Sequence, residues 1–277
     1  MPTLPPERLR SLATAVEAAG LDELWVWEDC FKESGVASAA AALAWTDRIT
    51  VGIGILPVPL RNAAVCAMEI ANLERMFPGR LIAGLGHGVQ LWMDQVGGKV
   101  ASPMTLLEEY ATAVRRLLGG ERVSVQGRYV QLDEVALDWP PSPPPPLMLG
   151  GAGPKSLALA ARLGDGNLLA GALTEEEIRS ACAVIAEHRT TPTHPVVATV
   201  IAASGPEAEA RLVAERPRWF KPADAPIGVA GGAQTIAASI QRLAGLGVTS
   251  VCIQPTEDEP DLEAFVHFLG SQVKPLL

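Results

Sequence analysis

The sequence predicts an α/β fold, a barrel of the TIM (β/α)8 type, and three observations predict it. Short apolar runs recur along the 277 residues, separated by segments of helical periodicity, as parallel strands covered on both faces require. Several runs end in glycine or proline, as RLIAGLGHGVQLWM does over Arg80–Met93, and such barrels carry their active sites at strand ends. With 48% hydrophobic residues there is material for one large core, so a single domain over 1–277 is expected.

The elements follow in order. Residues 7–19 put Leu9, Leu12, Ala13 and Val16 on one helical face, with Gly20 as the stop. Leu24–Trp27 is a compact apolar strand ending in Glu28 and Asp29, and Val36–Trp45 is an alanine-rich helix. The unit repeats as strand Ile49–Leu56 with helix Ala63–Phe77, then strand Leu81–Leu85 with helix Pro103–Leu118. Over 122–146 the rhythm breaks. RVSVQGRYVQL alternates around Gln126-Gly127 as a hairpin does, and Pro140–Pro146 stiffens the approach to the next strand. This segment reads as an insertion after the barrel's fourth strand. Leu147–Gly150, Asn167–Ala170, Val196–Ala203 and Ser250–Gln254 complete the strands. Their helices are Lys155–Leu163, Glu175–His188, Pro206–Glu215, Ala233–Ala244 and Leu262–Leu269, with Arg216–Pro226 expected to be irregular. That makes seven strands, and the chain opens on a helix. The first of eight is therefore expected to be missing or truncated: it lies upstream of Met1, or the barrel is completed in another way.

A formal charge of -9 and a pI near 5.0 argue against a nucleic-acid partner or an anionic membrane surface, both of which need a basic face. Cys30, Cys66, Cys182 and Cys252 show no CxxC spacing, so no metal site is expected and the thiols read as free. The amino terminus has neither a signal pattern nor an apolar span, which points to the cytoplasm.

Two strand exits carry the chemistry. At the first, Gly84, Gly86 and Gly88 let backbone press against a flat ligand, with His87 and Trp92 beside them. Alone, this stretch reads equally as a tight turn with His87 bonded to a neighbouring carbonyl. At the second, Gly150, Gly151, Ala152 and Gly153 leave a strand and open a helix at Pro154-Lys155, so amide groups and the helix dipole converge as anion binding requires. A plain βα turn is the alternative.

GLDELWVWED at Gly20–Asp29, the segment Val51–Arg80, IAGLGHG at Ile82–Gly88, the segment Leu147–Gly171 and VAGGAQTIAASIQRLAGLGVTSVCI near the end together resemble the bacterial luciferase-like monooxygenase superfamily. The likeness is to its branch of oxidoreductases that use flavin or the deazaflavin coenzyme F-420. It implies a barrel whose open end holds the ring, in a homodimer. Asp29 matches an acidic residue that contacts the ring in deazaflavin members. The next position, often a histidine base in relatives, is Cys30 here, and a thiol replaces it poorly unless its pKa is lowered. Glu28 and His87 become the acid–base candidates. Gly54-Ile55 falls where relatives carry a bulge, often with a non-prolyl cis peptide, against which the ring leans. Gly86 and Gly88 would flank the ring, and Gly150–Gly153 would take the cofactor phosphate, with Lys155 beside it. Val89 stands where sugar-phosphate-oxidising relatives place a glutamate, which argues against that substrate class. Trp92 and Met93 would wall the substrate side, and Arg61 and Asn62 would meet the cofactor tail or cap a helix. The resemblance implies hydride transfer between F-420 and a small organic substrate. An FMN-dependent monooxygenase and a cofactor-less binding subunit are the alternatives.

Overall fold

The computed structural model describes residues 4–222 and 224–277. Helix α1 (Leu9–Ala18) precedes strand β1 (Glu23–Val26). Helix α2 (Gly35–Ala44) starts on Ser34, whose hydroxyl accepts from the Ala37 amide. After β2 (Thr50–Pro57), α3 (Ala63–Met76) is capped by Asn62, and α5 (Pro103–Leu118) by Ser102 with proline in its first turn. Such caps contribute about 1 kcal/mol each. Between α3 and α5 lie β3 (Leu81–Gly86) and a short helix α4 (Gln90–Gln95); at six residues it is too short to show a helical periodicity in the sequence.

The segment over 122–146 holds an antiparallel pair, β4 (Val123–Gln126) and β5 (Gln131–Val135), apart from the main sheet. Then come β6 (Leu147–Gly151), α6 (Pro154–Leu163), β7 (Gly166–Leu169) and α7 (Glu175–His188), whose Thr174 and Glu177 form a reciprocal capping box. The chain continues through β8 (Val196–Ala203), α8 (Ala208–Glu215), β9 (Val229–Ala230), α9 (Ala233–Gly245), β10 (Ser250–Pro255) and α10 (Leu262–Phe268). Two details differ from expectation. Arg216–Trp219 forms a 3-10 turn inside the segment read as irregular, and β9 is a two-residue strand. Both are too short to leave a periodicity.

The main sheet is parallel throughout and runs β1-β2-β3-β6-β7-β8-β10, with β9 pairing β8 off this path. Among the described residues it curls into an open half-barrel, since β1 and β10, each paired on one side, end the path without pairing with each other. Strand β8 is buried along its whole length, whereas β1 and β10 are mostly half-buried. Register shifts once, between Ile53 and Leu56 of β2 against β3, and this irregularity positions the site.

Candidate cofactor and active site

The bulge in β2 contains a cis peptide between Gly54 and Ile55, as expected, and a second non-prolyl cis bond joins Cys30 and Phe31. The Ile55 side chain lies across the neighbouring strands. A Cβ built on Gly86 would come within 2.9 Å of Ile55 Cδ1, and one on Gly150 within 2.9 Å of Ile55 Cγ2. These two glycines make room for Ile55, and both also line the cavity at which the sequence places a ring. Gly88 has φ +71° and backs onto the Met93 sulfur. Met93 is fully buried, so it packs beneath the turn instead of walling the substrate side.

Ile55 floors a cavity of about 250 Å³ at the carboxyl ends of the strands. Glu28, Asp29, Gly54 and His87 line it, as do Trp92 and the exit Gly150–Ala152. Cys30 and Gly153 are not among its lining residues. The Gly153 amide donates instead to Ser156 Oγ at 3.1 Å, so the donors left at the start of α6 are the amides of Ala152, Lys155 and Ser156. Lys155 itself is exposed.

Glu28 is buried and its oxygens are committed. Arg61 donates to both, at 2.5 and 3.0 Å, and the Gly35 amide donates to Oε2 at 2.9 Å. Arg61 also approaches Glu69 at 3.3 Å. Glu28 thus ties the 28–35 loop to the start of α3, and three of its carboxylate's roughly four acceptor positions are taken, which favours a structural role over the expected acid–base one. Asn62 accepts from the Ala64 amide at 2.8 Å. Of the two roles weighed for the pair Arg61 and Asn62, Asn62 takes the cap of α3, while Arg61 holds Glu28, and neither lines the cavity.

Burial pushes the Asp29 carboxyl up, with Lys32 offsetting part of the rise. Burial, helped by the Glu28 and Asp29 carboxylates, pushes the Cys30 thiol up as well. Cys30 is therefore a protonated thiol at neutral pH and no base. His87 Nδ1 lies 3.0 Å from the Gly88 carbonyl, a contact that requires a proton on Nδ1 and leaves Nε2 as the acceptor of the neutral ring. The sequence reading missed Trp25, Trp27, Val197, Thr199, Leu168 and Cys252, which complete the walls. Trp25 with Trp27, and Val197 with Thr199, are spaced by two, the strand period that sends alternate side chains to one face. That signal was present but needed the inward face to be known.

The cavity suits a flat, largely apolar ring. Its walls are indole and aliphatic, its polar groups are few, and no lysine or arginine is among the described residues lining it. No cluster of metal-ligating side chains is found among the described residues.

Comparison with known proteins agrees with this geometry. The family model for luciferase-like monooxygenases matches residues 2–248. A 5,10-methylenetetrahydromethanopterin reductase of Methanolobus tindarius is 32% identical over 170 residues, covering 61% of this chain and 52% of that protein. An F-420-dependent glucose-6-phosphate dehydrogenase of Nakamurella multipartita is 31% identical over 176 residues, covering 58% and 51%. The chain thus spans about half the length of the curated relatives it matches. In structure it is similar to an F-420-dependent secondary alcohol dehydrogenase solved with an F-420-acetone adduct, with a TM-score of 0.88 at 20% identity over 99% of this chain and 96% of that one. With its fold, its strand-end cavity and a family match over most of its length, the chain belongs to the luciferase-like monooxygenase family.

Proposed function

We propose that this protein is an oxidoreductase that binds coenzyme F-420 and passes a hydride between it and a small, uncharged organic substrate. The observation that carries the proposal is Ile55, displaced by the β2 bulge across Gly86 and Gly150 to floor a cavity walled by Trp25, Trp27 and Trp92. Curated relatives named for F-420 support it. When bound, the deazaflavin supplies the hydride carrier. The chain's own residues do the rest. Ile55 and the indoles hold the ring face and exclude water, Asp29 meets its polar edge, and Ala152 with the first amides of α6 receives the anionic tail. His87 Nε2 holds or takes the substrate proton. Val89 and the lack of lining cations favour a neutral substrate over a sugar phosphate.

We further propose a homodimer through α3, whose Val65, Met68 and Met76 are 43%, 50% and 60% exposed, and residence in the cytoplasm, supported by four unpaired cysteines. Among the described residues no helix is long and apolar enough to cross a membrane.

Titration of the purified protein with F-420 and with FMN, followed by ring fluorescence, tests the cofactor assignment. F-420 is expected to bind at least tenfold more tightly, and Ala152→Asp to weaken it at least tenfold with an unchanged thermal midpoint. Preference for FMN would move the protein to the monooxygenases; binding of neither ring would make it a cofactor-less partner. Gly151 is a poorer place for this test, because a Cβ there would lie 2.7 Å from Ser156 Oγ and 3.0 Å from the Ser156 carbonyl carbon, so folding and binding would suffer together.

A further inference from the structure

The floor of the ring cavity carries a polar pair, Thr199 and Cys252, beside Val197, Leu168 and Trp25. Thr199 of β8 and Cys252 of β10 are register partners on the parallel ladder. Thr199 is the fourth of the eight residues of β8 and Cys252 the third of the six of β10, so the pair lies at mid-strand. Asp29, His87 and Trp92 stand instead on the segments that leave β1 and β3, at the mouth. Alternation along β8 fixes the direction of the threonine. Val197 lines the cavity with it, whereas Ala198, Val200 and Ala202 pack in the core under α7 and α9.

Thr199 is only 6% exposed, and its hydroxyl has hydrogen-bonding capacity to spare. The partner that reaches it is the Cys252 thiol, which burial pushes up to about 12. That thiol is protonated and donates weakly to the threonine oxygen, which leaves the hydroxyl's own proton directed at the cavity. A buried hydroxyl with no strong partner is destabilising, and valine fills the same space without that cost. An acceptor oxygen on a ligand at the floor removes it.

We propose that Thr199, backed by Cys252, donates to an oxygen at the edge of the deazaflavin ring and is thereby a cofactor-binding residue, an inference that rests on the F-420 reading of the cavity. Depth selects the ring over the substrate. At about 250 Å³ the cavity falls below the roughly 300–1,000 Å³ that enclose a drug-sized ligand, so one fused ring system fills it to the floor. The substrate is left the mouth, with His87. The ring offers suitable oxygens at both ends, the pyrimidine carbonyls at one and the phenolic oxygen at the other.

Thr199→Val keeps the branched shape and removes the hydroxyl, while Thr199→Ser keeps the hydroxyl. The purified full chain and both variants are titrated, by ring fluorescence, with F-420, with its fragment 8-hydroxy-5-deazariboflavin, and with 5-deazariboflavin, which lacks the phenolic oxygen. Thr199→Val is expected to weaken F-420 binding about fivefold or more, the size of one hydrogen bond, with the thermal midpoint of the unliganded protein unchanged or raised. Thr199→Ser is expected to bind as the wild type does. Loss confined to the two hydroxylated rings identifies the phenolic oxygen as the acceptor, and equal loss for all three identifies a pyrimidine carbonyl; both support the proposal. Unchanged F-420 affinity in Thr199→Val, or an equal loss in Thr199→Ser, overturns it and leaves the cofactor assignment standing. Binding of none of the three rings by the wild type overturns the cofactor assignment and this inference with it.

Discussion

At the scale of single residues, the site is held by a buried ion pair and strained electrostatically by a half-buried acid. Arg61 and Glu28 are both largely shielded from water, and removing one partner leaves a buried, uncompensated charge. Arg61→Ala is expected to cost about 3–5 kcal/mol, the usual effect of breaking such a pair, measurable by denaturant unfolding; a loss under about 1 kcal/mol would show that Glu28 does not depend on it. Asp29 makes the opposite prediction. Its folded pKa lies above the ordinary aspartate value because burial disfavours the charge, so the folded state binds the proton more tightly than the unfolded state does. Its penalty is absent below the ordinary value, grows as pH rises through the folded pKa, and is complete above it. Asp29→Asn should therefore raise the thermal midpoint at pH 7 and leave it unchanged near pH 3, while weakening F-420 binding. A midpoint that falls at pH 7 would show that Asp29 serves the fold.

At the scale of elements, this acidic chain uses carboxylates as staples for backbone turns. Glu109 on α5 accepts from the amides of Arg128, Tyr129 and Val130 at 2.9, 2.8 and 3.0 Å, and these bonds hold its carboxyl below the usual range. Glu17 on α1 accepts from Asp47, Arg48 and Ile49 at the entry to β2, and the three amides outweigh the burial that pushes it up. A lowered folded pKa contributes stability that is present above the ordinary glutamate value and is lost as pH falls through the folded one. Glu109→Gln should release the β4–β5 turn, seen as faster hydrogen exchange at residues 128–130 with β8 unaffected. The wild type should show the same local loosening in acid before it unfolds globally. Unchanged exchange in both would remove Glu109 as the staple. Net charge alone gave no sign of these bonds, since each joins positions at least nineteen apart.

At the scale of the whole molecule, the exposed apolar face of α3 predicts its own test. Met68→Glu should shift the proposed homodimer toward monomer in analytical ultracentrifugation while leaving the fold intact, because the side chain is half exposed and makes no core. An unchanged sedimentation coefficient would place the contact elsewhere or remove it.

The order of elements and the parallel sheet were legible because apolar runs and helical faces are local, periodic signals. Glu23–Val26, Thr50–Pro57 and Leu81–Gly86 fall within a residue or two of their expected bounds. The bulge at Gly54-Ile55 was legible through family likeness. What the sequence by itself determined, then, was the repeating strand–helix units and the strand ends at which chemistry collects. Tertiary structure alone decided that Gly86 and Gly150 accommodate Ile55, that Glu28 belongs to Arg61, that Gly153 spends its amide on Ser156, and that Thr199 meets Cys252 at the cavity floor. The reason is physical: periodicity fixes which face a residue occupies, whereas hydrogen-bond partners and close contacts depend on chain segments tens to hundreds of residues away, and no local pattern encodes them.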